Sequence, residues 1–139
     1  MNLSDMPSLL GRLYERLRTA GFTVTSEQSG GMGGLEVILS GSIAGSTGSV
    51  PAEVDMSSDR GHSVVTVRLG EMEHWIIPGV WASYLDSIPV DIDPERATEF
   101  LGNRLSDMAD AYLADDDIES KLVAIGEQFM RARSAAYEF

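Results

Sequence analysis

The stretch that most constrains this chain runs from Asp93 to Tyr137, where apolar residues recur at helical spacing. Asp93-Pro94-Glu95 is a helix start. The aspartate side chain can cap free backbone N–H groups, proline at the first helical position forfeits no hydrogen bond, and glutamate suits the positive end of the dipole. Behind it Ala97, Phe100, Leu101, Leu105, Met108, Ala109 and Tyr112 share one face. Ile118, Leu122, Ile125 and Phe129 form a second series that Ala132 and Ala136 continue. Asp115-Asp116-Asp117 interrupts the pattern between them and suits a helix N-terminus. The expectation is an antiparallel helical hairpin whose apolar stripe needs another layer to cover it.

The chain upstream supplies that layer. Met6, Leu9, Leu10, Leu13, Tyr14 and Leu17 mark one face of a first helix, with Asp5 as its cap, Pro7 in its first turn and Gly21 as its stop. From Phe22 the period becomes two. Phe22 to Thr25 and Leu35 to Leu39 read as strands joined through the flexible Ser29–Gly34 run, and Ala52 to Met56 and Ser63 to Leu69 as a second hairpin turning at Ser58–Gly61. Gly41 to Ser49 reads as a mobile loop or a bulged edge strand. Met72 to Ile77 reads as one more strand, and Val80, Trp81, Tyr84 and Leu85 as a short helix begun near Pro78. With no repeat or linker, the 139 residues are expected to form a single α+β domain. Its parts are an N-terminal helix, a four- to five-stranded antiparallel meander, and a C-terminal helical hairpin packed on one face.

Charge narrows the function. With 22 acidic against 10 basic residues the formal charge is −12, and the bases are scattered from Arg12 to Arg133. Such a surface repels a phosphate backbone and an anionic bilayer, so neither nucleic acid nor membrane is an expected partner. No apolar run approaches the ~20 residues that span a bilayer, and Met1 to Asp5 lacks the character of a signal peptide. There is no cysteine, which removes disulfides, thiol nucleophiles and thiolate metal sites and agrees with a cytoplasmic location. Lys121 is the single lysine beside nine arginines, a bias that points to a GC-rich bacterial coding sequence.

The motifs that would carry catalysis fail on chemistry. Gly41 to Thr47 has glycines and hydroxyls but not the lysine that a phosphate loop uses. Gly31 to Glu36 places glutamate where a dinucleotide fingerprint needs its third glycine. Gly61-His62-Ser63 lacks the last glycine of a nucleophile elbow, and Val65 continues a strand. Asp115 to Glu119 has oxygen ligands in number, but Ser120 and Gly126 stand where a calcium loop needs glycine and a bidentate glutamate. No cofactor or metal is expected.

What remains is recognition. Trp75, Trp81 and Tyr84 gather the aromatic anchors, and Asp115, Asp116, Asp117 and Glu119 gather negative charge. The expected function is a non-enzymatic acidic protein-binding module, an inhibitor or immunity-type protein that neutralises a basic partner, with self-association possible. The alternatives are a secretion-type chaperone or a subunit of a larger assembly such as a phage particle. A third is a small enzyme or ligand-binding domain using His74 and nearby carboxylates, and that reading requires a pocket holding both.

Overall fold

The computed structural model describes residues 8–29, 34–59, 62–91 and 93–137. The proposed cap Asp5, with Met6 and Pro7, lies outside the described residues, as do Gly30 to Gly33, the Arg60-Gly61 turn and Ile92. The order is α1 (Ser8–Thr19), β1 (Thr23–Ser29), β2 (Leu35–Ala44), β3 (Ser49–Asp59), β4 (His62–Leu69), α2 (Pro78–Asp86), α3 (Pro94–Ala114) and α4 (Ile118–Tyr137). Fold class α+β holds: four strands form an antiparallel meander in the order β1-β2-β3-β4, with an N-terminal helix and the C-terminal helices against one face.

The alternation of the strands separates two faces. Val37, Leu39 and Ile43 of β2, Val50, Ala52, Val54 and Met56 of β3, and Val67 and Leu69 of β4 are buried beneath the helices. They meet Leu10, Leu13 and Leu17 of α1, Val80 and Trp81 of α2, Leu101 and Met108 of α3, and Ile118 and Leu122 of α4 in one core. Burying side chains of this size stabilises the fold by roughly 1.5–3 kcal/mol each. The alternate residues, Glu36, Ile38, Glu53, Asp55, Thr66 and Arg68 among them, lie on a face that none of the described helices covers.

Two segments differ from the sequence expectation. Gly41 to Ser49 is not an edge strand, and only its middle is a loop: residues 41–44 complete the central strand β2, residues 45–48 make the connection, and Ser49 begins β3. The tight connection is held by α3, since Asp110 Oδ1 accepts from the Ser46 N–H at 2.6 Å and from its hydroxyl at 3.0 Å. Met72 to Ile77 is not a full strand. It joins the sheet through the isolated Val67–Ile76 pair rather than a run of paired residues. His62 is the first residue of β4.

The helix starts follow local chemistry. Asp93 Oδ1 accepts from the N–H groups of Glu95 and Arg96 at 3.0 and 3.1 Å, so the cap forms as its sequence predicts. Helix α3 bends at Arg104 (φ −120°, ψ 16°), whose guanidinium bridges Asp86 and Asp107.

Candidate functional site

After β4 the chain reverses at Gly70, whose φ of +55° suits glycine. Tyr112 fills the space where a Cβ would stand, and its hydroxyl accepts from the Glu71 N–H at 3.0 Å. The reversal brings Ile76 alongside β4, where Val67 and Ile76 exchange backbone hydrogen bonds of 2.8 and 2.9 Å. Ile76 therefore points into the core, and Trp75 and Ile77 to either side of it face away. The Trp75 ring lies 4.5 Å from the Arg68 guanidinium, a cation–π contact. Arg68 in turn donates to Glu53 Oε1 through Nε at 3.2 Å and Nη2 at 2.5 Å. Ile77 is 38% exposed and Val64 on β4 is 50% exposed, so apolar surface borders this aromatic cation stack.

Beside it sits an unneutralised carboxyl pair. Asp55 lies opposite Ile38 and Thr66 in the register, and Glu36 is the diagonal neighbour across β2 and β3. Asp55 Oδ1 is closed off from solvent without a hydrogen-bond partner among the described residues. Burial, and then the negative charge of Glu36, push the Asp55 carboxyl up to about 6. The nearest base along the strand pair, Arg68, is already engaged by Glu53.

The acids singled out from the sequence have a different setting. Asp115 accepts from the Tyr84 hydroxyl at 3.0 Å, from Lys121 at 2.7 Å and from the Asp117 N–H at 3.0 Å. The hydrogen bond from Lys121, followed by that from the Asp117 backbone, holds its carboxyl below the usual range. Glu119 accepts from the N–H groups of Glu73 and His74 at 2.7 and 2.9 Å and lies 3.0 Å from His74 Nδ1, which lowers its pKa too. Asp115 and Glu119 are thus joints that fasten α4 to α2 and to the 71–77 segment, while Asp116 and Asp117 are exposed. Trp81 is fully buried, with its indole N–H unpartnered among the described residues, and belongs to the core. Tyr84 is half-buried. The structure brings Tyr84 to Asp115, and Trp75 to the open sheet face instead.

An apolar groove of about 720 Å³ runs between α4 and residues 74–80. His74 and Trp75 stand at its rim with Ile77, and Phe129 and Met130 form the α4 wall. Its lining includes His74 and Glu127 but no serine, threonine, cysteine or lysine that could act as nucleophile. The one carboxylate bonded to His74, Glu119, is held ionised by the His74 ring and then by the backbone N–H groups of His74 and Glu73, which makes it a weak base. Among the described residues no cluster of three or more histidines and carboxylates is placed to hold a metal ion.

Nor, among the described residues, is any helix long and apolar enough to cross a membrane. No family model matches the chain, and no curated protein or solved structure was found similar to it.

Glu36, Asp55, Glu53 and Arg68 had no mark in the sequence beyond strand alternation. Their signal is that charged residues at alternating positions of two central strands must share one face. The value of that face depends on its being uncovered, which a linear pattern does not state.

Proposed function

We propose that this chain is a non-enzymatic acidic protein-binding module that neutralises or escorts a basic partner protein. The observation that supports this most is the Glu36–Asp55 carboxyl pair on an uncovered sheet face, near half-buried Trp75 and exposed Ile77 and Val64. A like-charge pair with a raised pKa is a cost carried in the free protein, and an arginine or lysine from outside would relieve it. The net charge of −12 would steer a basic partner in, and the aromatic and aliphatic residues would then be buried as anchors. Inhibition of an immunity type is the leading form of this activity. A secretion-type chaperone or assembly subunit would use the same face, and a cytoplasmic location belongs to the same proposal.

The test is affinity capture from a lysate of the source organism at low and high salt, with three baits. The wild type should retain one stoichiometric basic protein that high salt releases. Glu36→Gln/Asp55→Asn should lose it, and Asp116→Asn/Asp117→Asn should keep it. Equal capture by all three baits, or none by the wild type, would overturn the proposal. The enzymatic alternative rests on His74 at the groove rim, and any turnover found should survive His74→Ala if that alternative is wrong.

A further inference from the structure

The apolar groove beside α4 has its own logic. Ile118, Leu122, Ile125, Phe129 and Ala132 follow one another at intervals of four, three, four and three, the seam of a helix that packs along another helix. The first two are buried in the protein's own core, Ile125 and Phe129 are half-buried, and no α4 residue described after Leu122 is fully buried. Met130 on the groove wall is 57% exposed. A helix of 20 residues spans about 30 Å. The groove itself is walled on α4 by Val123, Gly126, Glu127, Phe129, Met130 and Arg131, a face turned away from the stripe that Ile118, Leu122 and Ile125 send into the core.

We infer that the occupant of this groove is a second copy of the chain, with the two α4 helices crossing antiparallel near Phe129. The charges on α4 are self-complementary in that arrangement and in no parallel one. A two-fold axis at residue 129 sets Glu127 of each copy opposite Arg131 of the other, because the two lie equally far on either side of it. Both are exposed and enter no ion pair among the described residues. The same axis sets Gly126 opposite Ala132, two small residues that let the backbones approach. Gly126 is not required by the protein's own packing: a Cβ there would meet only Val80, at an ordinary 3.7 Å. The paired α4 helices lie on the helical side of the sheet, so Glu36 and Asp55 on the far side stay uncovered, while Trp75 and Ile77 border both surfaces. A basic foreign helix fits less well, since the groove wall carries Glu127 and Arg131 together and has no net charge of its own.

The experiment is sedimentation equilibrium of the full chain, with thermal melting as a check on folding. The wild type should sediment at twice the monomer mass and dissociate on dilution. Met130→Glu should be monomeric and still melt cooperatively, losing only the stability that dimerisation adds, because that side chain lies mostly in solvent. Glu127→Arg and Arg131→Glu should each weaken the dimer by about tenfold by setting like charges opposite one another, and the double swap should restore it. A wild type that stays monomeric at high concentration, in low and high salt alike, would overturn the inference. So would a dimer that ignores Met130→Glu, or single swaps that the double swap fails to rescue.

Discussion

Asp55 shows what a single side chain on the open face costs. Its folded pKa of about 6 stands above the 3.8 of the unfolded chain, so the folded state binds the extra proton between those values. The associated stability is present below pH 4 and is lost as pH rises through 6. Asp55→Asn should therefore stabilise the protein at pH 7 by about 1 kcal/mol, well short of the full linkage value because solvent still screens the group. The gain should vanish near pH 4. Urea denaturation of both proteins at the two pH values checks this, and a gain that persists at pH 4 would mean that charge is not its source. Gly70 makes the opposite case. Its positive φ and the Tyr112 side chain packed against it leave no room for a methyl group. Gly70→Ala should cost about 2 kcal/mol, and a melting-temperature change within error would show that the turn relaxes freely.

Among the elements, the legible ones were those whose pattern and ends agreed. Asp93-Pro94-Glu95 announced α3 because cap, proline and dipole all point to one residue, and the cap is in place. Asp93→Ala should cost about 1 kcal/mol in chemical denaturation, with the loss concentrated in amide exchange of the first turn of α3. The seam of α4 was equally plain from Ile118, Leu122, Ile125 and Phe129. Gly41 to Ser49 misled because small residues look like a loop when their packing is invisible. Gly41 is a strand residue whose missing side chain makes room for the Phe22 ring, and the turn after it is tied down by Asp110, 64 positions away from Ser46. The acids followed the same rule. The run from Asp115 to Glu119 stood out as a cluster, yet two of its carboxylates are spent on Lys121, Tyr84, His74 and backbone N–H groups. The less conspicuous Glu36 and Asp55 are placed together only by strand pairing. Trp75 and Trp81, six residues apart, part company because one flanks a bridge to β4 and the other sits inside α2 against the core.

At the scale of the whole molecule, half of the ten bases are already committed among the described residues. Arg12 pairs with Glu95, Arg68 with Glu53, Arg104 with Asp86 and Asp107, and Lys121 with Asp115, while Arg16 donates to the Gly102 carbonyl and to Asn103. The field outside the protein is therefore set by the surplus acids, and salt acts on it at every level. Association with a basic partner draws on that field at long range, whereas pairing of two α4 helices works against it. At 0.15 M ionic strength the field is screened within about 8 Å. The partner's association rate should then fall by roughly tenfold or more between low and high salt, while its dissociation changes much less. Pairing of two copies, each carrying −12, should instead tighten as salt screens their repulsion. Stopped-flow association with the captured partner and sedimentation of the chain alone, over one salt series, read the two signs side by side. Glu36→Lys/Asp55→Lys should slow the partner at low salt and flatten its salt slope without weakening self-association. An association rate indifferent to that double reversal would remove the open sheet face from the encounter, whatever the salt dependence of the α4 pair.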